Sequence, residues 1–126
     1  MNIRLFLSLL ALAVVAIPVA AGAQSERFDE ALKAYEKQDY TTALYYWKQL
    51  ADSGDGMSQY DLGILYYYGR GVPKDLPEAY KWFLLARDNH VAQAEDAVGR
   101  MEAILEVKDI NEGLRRRDEW HRAHGD

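Results

Sequence analysis

An internal repeat constrains the fold of this 126-residue chain more than any other feature of its sequence. A shift of 36 residues brings residues of similar type or size together: Asp39 with Asp75, Ala43 with Ala79, Trp47 with Phe83, and Gly63 with Gly99. Such a period is typical of chains in which one supersecondary unit stacks on copies of itself, because a single unit cannot bury its apolar face alone. The repeat therefore predicts a linear stack of similar units.

Each unit is predicted to be helical. Apolar or small side chains recur at positions i, i+3, i+4 and i+7, the spacing of one helix face, in five windows: Phe28–Tyr35, Tyr40–Trp47, Gln59–Tyr66, Leu76–Phe83 and Ala94–Met101. No window alternates with a period of two for long, which argues against strands. We predict an all-α fold, a short α-solenoid of about two and a half stacked antiparallel helix pairs.

Acidic residues and glycines mark the predicted helix ends. Asp39 and Asp75 each precede a helical face and can cap it by accepting hydrogen bonds from free backbone N–H groups. Gly54 follows the second helix, where glycine commonly ends a helix. Gly63 lies inside the third helix, where glycine costs about 1 kcal/mol relative to alanine. A helix tolerates this cost most easily where a neighbour needs the space, so we predict close packing at Gly63.

A long motif in the centre of the chain carries a family resemblance. Its positions are Gly54 in the link before the third helix, and then Leu62, Gly63, Leu65, Tyr66, Gly69, Gly71, Val72, Asp75, Ala79, Trp82 and Ala86. This string resembles a Sel1-like repeat, a relative of the tetratricopeptide repeat, and the resemblance is close over residues 39–99. It implies stacked helix pairs that bind other proteins. Ser58 and His90 depart from the family's usual alanine and glycine, and no Gly-x-Gly-Val loop follows Gly99.

The first 23 residues have the pattern of a secretory signal peptide. One basic residue, Arg4, precedes the apolar stretch Leu5–Ile17, and Ala21-Gly22-Ala23 forms an A-x-A site. A short basic start, an apolar core and a small-residue end are typical of a cleaved leader. We expect cleavage after Ala23 and a periplasmic or secreted protein. The alternative is an uncleaved membrane anchor, because Leu5–Ala23, at 19 residues, is just long enough to span a bilayer.

The remaining chain divides into two predicted segments. Residues 24–106 are predicted to form the Sel1-like helical repeat domain, and residues 107–126 to form either a capping helix or a frayed, charged tail. Repeat stacks generally need three or more units. A final helix across the open end or a contact with a second copy of the chain would supply the missing cover. Formation of a homo-oligomer is therefore one of the open alternatives. Arg115–Arg117 is predicted to lie on a solvated face.

Composition and motifs exclude several chemistries. The chain has 15 basic and 20 acidic residues, a net charge of −5 that is unlike a nucleic-acid binder. It contains no cysteine, which excludes a disulfide framework and a thiolate metal site. No serine lies in a nucleophile motif. The trio Asp118, His121 and His124 lacks the H-E-x-x-H spacing, so we expect no metal ligand there. We predict no catalytic residue, cofactor or metal.

Aromatic residues indicate how the protein works. Nine tyrosines and three tryptophans are present, and these residue types are enriched at protein-binding surfaces. The candidate contacts lie on the third helix and just after it, on the expected concave side of the stack: Tyr60, Asp61, Tyr67, Tyr68 and Arg70. We therefore predict a non-enzymatic interaction module for another protein of the bacterial envelope, without membrane contact after signal cleavage.

Two alternatives to the interaction module stay open. Some cysteine-rich Sel1-like proteins have been linked to penicillin binding or β-lactamase activity, so an envelope hydrolase that acts on the cell wall or on β-lactams is one alternative. A purely structural, oligomerising component is the other, and the small number of repeat units motivates it.

Overall fold

The computed structural model of the protein describes residues 19–125, in which six helices and no strand occur. In chain order the helices are α1 (Val19–Glu36), α2 (Tyr40–Asp52), α3 (Gly56–Tyr68), α4 (Leu76–Asp88), α5 (Ala92–Ile104) and α6 (Val107–His124). Each of the first four helices packs on the next one along the chain, and α6 packs on α4. The predicted all-α solenoid of stacked helix pairs is confirmed.

Side chains at the helix starts and glycines at the helix ends define the elements as the sequence predicts. The Asp39 carboxylate accepts a hydrogen bond from the Thr42 backbone N–H, and the Asp75 carboxylate accepts one from the N–H of Glu78. Gly54 has φ +94° at the end of α2. The sequence analysis missed one cap: Asp55, which accepts from the backbone N–H of Ser58 at the start of α3.

Gly63 lies where α3 and α4 approach most closely. A Cβ atom at this position would lie 2.7 Å from Cε1 of Phe83, so only glycine leaves room for that ring. The predicted close packing at Gly63 is thus confirmed. Gly99, its counterpart in the next unit, faces open space. Glycine therefore recurs at this position of the repeat, but the close helix contact made at Gly63 does not.

The buried side chains form two adjoining clusters. One joins the first four helices around Trp47, Leu62 and Trp82, and the other joins α4 and α5 around Tyr80, Phe83 and Met101. Helix α4 contributes to both clusters, and its residues 82–86 are all buried. The core therefore runs along the stack as in a repeat protein, with α4 at its centre.

The C-terminal segment forms helix α6 and is not the frayed tail that was one of the two predicted alternatives. It packs along α4, and Gly113 allows the close approach, since a Cβ there would lie 2.5 Å from Cδ1 of Tyr80. Near its end, Trp120 packs against the first cluster and stacks on His124 at 4.1 Å between ring centroids. The C-terminal segment is thus part of the folded body.

Arg116 and Arg117 of the basic run 115–117 are half-buried, with 27% and 24% of their side chains exposed, so the expected solvated face was wrong for these two. Arg116 Nη1 donates to Asp75 Oδ2 at 3.0 Å and to Glu78 Oε2 at 2.9 Å, which ties α6 to the first turn of α4. Arg115 pairs within α6, with Glu112 and Glu119. The sequence could not show this difference because it depends on which side of α6 meets α4.

Most of the predicted leader, residues 1–18, lies outside the described residues. Helix α1 begins at Val19 and continues through the predicted cleavage point after Ala23. Across residues 19–125 none of the helices combines the length and the apolar character needed to cross a membrane.

Two glycine substitutions test the docking of α6. Gly113→Ala forces a methyl group against Tyr80 and the Pro77 carbonyl oxygen, and is expected to lower the free energy of unfolding by about 1–3 kcal/mol. The matched control is Gly99→Ala, which places the same methyl group in open space. Because alanine favours the helix, this control is expected to raise the free energy of unfolding by about 0.5–1 kcal/mol. Urea unfolding measures both, and equal effects would contradict the close contact.

Candidate protein-binding groove

One side of α3 reaches the surface near two cavities, and we call this surface the α3 groove. Four residues at helical spacing define it: Met57, Asp61, Ile64 and Tyr68. Met57 and Tyr68 are 40% and 59% exposed, whereas Asp61 and Ile64 are half-buried. The opposite side of α3 carries the buried residues Leu62 and Leu65, which fix the helix in the core. The groove is therefore held on a rigid element.

A cavity of about 470 Å³ opens between α3 and α5 at one end of the α3 groove. From α3 it is lined by Tyr60, Ile64, Tyr67 and Tyr68, from α4 by Phe83, and from α5 by Asp96, Ala97, Arg100, Met101, Ala103 and Ile104. Ile104 is 58% exposed, so the apolar wall reaches the surface. An apolar cavity with a few polar groups at its edge is a typical binding site for a side chain or small ligand.

Three of the five predicted contact residues line this cavity. The ring of Tyr60 lies 5.5 Å from that of Phe83, and the rings of Tyr67 and Tyr68 meet edge to face at 4.9 Å. These contacts hold the tyrosines in fixed orientations, as a preformed binding surface requires. The structure thus brings Tyr60, Tyr67 and Tyr68 together, as the sequence analysis proposed for a recognition surface.

Arg70 is placed differently from the other predicted contacts. Its guanidinium donates a hydrogen bond to the Tyr35 hydroxyl of α1 and lies 4.5 Å from the Tyr68 ring centroid. It also lies 5.5 Å from the Tyr40 ring centroid. Arg70 therefore links α1 and α2 to the end of α3 and supports Tyr68 from outside the cavity.

Asp61 lies between this cavity and the start of α3. No hydrogen bond or ion pair reaches its carboxylate from the described residues, and burial raises its pKa to about 7, with a further contribution from the negative charge of Asp55. A half-buried carboxylate without a cation is unfavourable. The groove therefore has a favourable position for a positive charge.

A second, smaller cavity of about 330 Å³ lies at the other end of the α3 groove. It is lined by Gln24, Ser25 and Phe28 of α1, by Leu50 of α2, and by Asp55 and Met57 at the start of α3. Ala21 also lines it but lies in the predicted leader, so a chain cleaved after Ala23 would keep the other six residues. Met57 lies on the same side of α3 as Tyr68. Along this side of α3, Asp61 thus lies between Met57, which lines one cavity, and Ile64, which lines the other.

The remaining motif residues support the fold around the groove. Leu62, Leu65, Ala79, Trp82 and Ala86 are fully buried, while Tyr66 and Val72 pack at the edge of the core. Gly69 and Gly71 have φ +67° and +73° in the turn before α4. A Cβ at Gly71 would lie 2.8 Å from the Tyr40 carbonyl oxygen, so this turn lies directly against α2.

Several groove residues were missed by the sequence analysis. Ile64 follows the i+3 spacing from Asp61 and could have been placed beside it from the helical pattern alone. Met101 and Ile104 could not be placed at the cavity from the sequence, because the motif does not extend into α5. Their position depends on how α5 packs. The Asp96 and Arg100 side chains pair at 2.8 Å on the exposed edge of the cavity.

The described residues show how the candidate chemical groups are used. Ser53 Oγ donates a hydrogen bond to the Leu50 carbonyl oxygen at 2.7 Å, and Ser58 is fully buried. His121 Nε2 lies 3.4 Å from Asp88, whereas His124 stacks on Trp120. Within residues 19–125 no group of three or more His, Asp or Glu side chains gathers as a metal site would.

The pKa of Asp61 yields a stability prediction. An unfolded aspartate has a pKa of about 4, so between about pH 4 and 7 the native state binds one proton that the unfolded state lacks, and stability falls as the pH rises. Asp61→Asn removes this loss. It is expected to raise the free energy of unfolding by about 2 kcal/mol at pH 8 and by little at pH 4.

Urea unfolding at the two pH values checks this expectation. The control is Glu95→Gln, which removes an exposed carboxylate from α5 and should give no gain that depends on pH. A lower stability of Asp61→Asn at pH 8 would show that the Asp61 carboxylate has a favourable partner in the native protein.

Comparisons with known proteins agree with this architecture. Residues 33–55 and 56–90 match the family model of the Sel1 repeat. HcpC of Helicobacter pylori, which bears the provisional name of a beta-lactamase, is 41% identical over 44 residues, 35% of this chain and 15% of HcpC. The rat and mouse proteins named DAP3-binding cell death enhancer 1 are each 44% identical over 41 residues, 32% of this chain and 8% of theirs.

The chain therefore matches only a small fraction of each of these relatives, about the length of one repeat. Two successive repeat matches, the helical stack and the motif residues in the turn before α4 agree with one another. Together they show a helical stack in which residues 33–90 match two successive Sel1 repeats.

Proposed function

We propose that this protein is a non-enzymatic adaptor that binds a segment of another protein in the α3 groove. Sel1 repeats are generally protein–protein interaction modules. The observation that supports a site on α3 is the apolar cavity between α3 and α5, with Tyr68 and Ile104 exposed at its opening. Helix-pair stacks use surfaces of this kind for binding.

The composition of the cavity suits a protein ligand. Tyrosine rings supply a large contact area at a low cost in conformational entropy, and their hydroxyl groups remain available for hydrogen bonds. Phe83 and Met101 form an apolar base beneath them. Because the rings of Tyr67 and Tyr68 already contact each other, little ordering is needed on binding.

The double variant Tyr67→Ala/Tyr68→Ala tests this site. It is expected to weaken partner binding by at least about tenfold, since exposed aromatic residues dominate many interfaces, while the helical circular dichroism spectrum stays unchanged. Tyr45→Ala is the control, because Tyr45 is exposed on α2 and does not line the cavity. Equal binding by the double variant and the wild type would remove the site from α3.

We also propose that the protein is exported and that its partner is another envelope or secreted protein. The support is the leader pattern of residues 1–23, with Arg4, the apolar stretch and Ala21-Gly22-Ala23.

Export has a direct mass test. Expression of the full chain with a C-terminal tag in a Gram-negative host is expected to give a periplasmic protein that begins at Gln24. An Ala23→Asp variant, which disrupts the small-residue site, is expected to retain the leader. Intact mass spectrometry of the wild type and the variant distinguishes the cleaved chain from the chain that retains the leader. A wild-type chain that retains residues 1–23 would favour the anchor instead.

The name of HcpC makes β-lactam hydrolysis the alternative function. This alternative has little support in the described residues, because Ser58 is buried and the Ser53 hydroxyl is bound to a backbone carbonyl. Neither hydroxyl lies beside a general base in residues 19–125, as nucleophilic catalysis requires. The adaptor is therefore the better-supported function.

A further inference from the structure

The length of the α3 groove limits the conformation of its ligand. Met57 and Tyr68 are eleven residues apart on one helix, a distance of about 16 Å at about 1.5 Å per residue. An extended peptide rises about 3.3 Å per residue and covers that distance with about five residues. In such a segment, side chains two residues apart point to the same side. Three ligand side chains can therefore enter the groove together.

The two cavities define the outer positions of such a segment. The cavity beside Met57 and the cavity beside Tyr68 both have apolar walls, which include Phe28 and Leu50 at the first and Phe83 and Ile104 at the second. Burial of an aliphatic or aromatic side chain there gains free energy in proportion to the apolar area covered. The outer positions of the ligand are therefore apolar.

Charge defines the central position. Asp61 lies along the α3 groove between the two cavities, and no described residue gives it a cationic partner. The nearby arginines are already engaged, because Arg100 pairs with Asp96 at 2.8 Å and Arg70 binds the Tyr35 hydroxyl. The negative charge of Asp55, at the start of the same helix, adds to the acidic character of the groove. A cation supplied by the ligand would compensate Asp61, whereas an acidic ligand residue would be repelled.

Resting on the proposed function, we propose that the α3 groove selects an extended peptide segment in which a lysine or arginine is flanked by apolar residues. The basic side chain pairs with Asp61, and the apolar side chains, two residues away on each side, enter the two cavities. Arginine has the better geometry of the two, since its guanidinium can bind a carboxylate through two parallel hydrogen bonds. Asp61 is in this proposal the residue that determines specificity.

A random peptide library tests the ligand class without knowledge of the natural partner. Phage-displayed dodecapeptides are selected on the immobilised full chain and in parallel on the Tyr67→Ala/Tyr68→Ala variant. Peptides enriched on the wild type alone are expected to share a lysine or arginine with an apolar residue two positions away on each side. Enriched peptides without a basic residue would overturn the inference and leave the proposed function intact. No enrichment over the double variant would overturn both.

Charge exchange provides the second measurement. A selected peptide, labelled and followed by fluorescence anisotropy, is expected to bind Asp61→Asn at least about tenfold more weakly than the wild type. Glu95→Gln serves as the control and should bind normally. Asp61→Lys is expected to prefer the same peptide with glutamate in place of its basic residue. Unchanged affinity of Asp61→Asn for the peptide would exclude Asp61 as the specificity determinant, and so would an unchanged preference of Asp61→Lys.

Discussion

The stack depends on the carboxylate of Glu78. One of its oxygens accepts a hydrogen bond from the Trp82 indole N–H at 3.1 Å and pairs with Lys81, and the other accepts from Arg116 at 2.9 Å. Charged groups that are mostly removed from water are costly unless such partners compensate them. Here the compensation comes from α4 itself and from α6. The same contacts that satisfy Glu78 therefore also hold α6 over the buried Trp82.

The position of α6 has a consequence for the groove. Because α6 packs along α4 and reaches Asp52 at the end of α2 through Trp120, it covers the second helices of the units. The first helices, α3 and α5, keep an open surface between them, with Ile104 at its edge. The short stack thus gains a closed side for stability and an open side for recognition from one C-terminal helix.

The features that could be predicted from the sequence are those with local causes. Asp39 and Asp75 act on N–H groups three residues away, and Gly63 follows from the helical pattern and the repeat. Residues whose roles depend on distant partners could not be predicted. Arg116 is identical in kind to its two neighbours in the sequence, yet two of its three acidic partners lie 38 and 41 residues away. The contacts of Arg70, which we predicted as a partner-binding residue, with Tyr35 of α1 and with the ring of Tyr68 could likewise not be predicted.

Glu78 and Asp61 show how the structure separates stability from binding. Both are half-buried carboxylates, on consecutive helices. Glu78 receives three partners and strengthens the fold, whereas Asp61 receives none from the described residues and has a pKa raised to about 7. An unpaired half-buried carboxylate lowers stability. Residues that lower stability on a rigid, exposed surface are typical of functional sites, where a ligand supplies the missing interaction. The local cost at Asp61 is therefore the feature on which the proposed selectivity for a positively charged ligand rests.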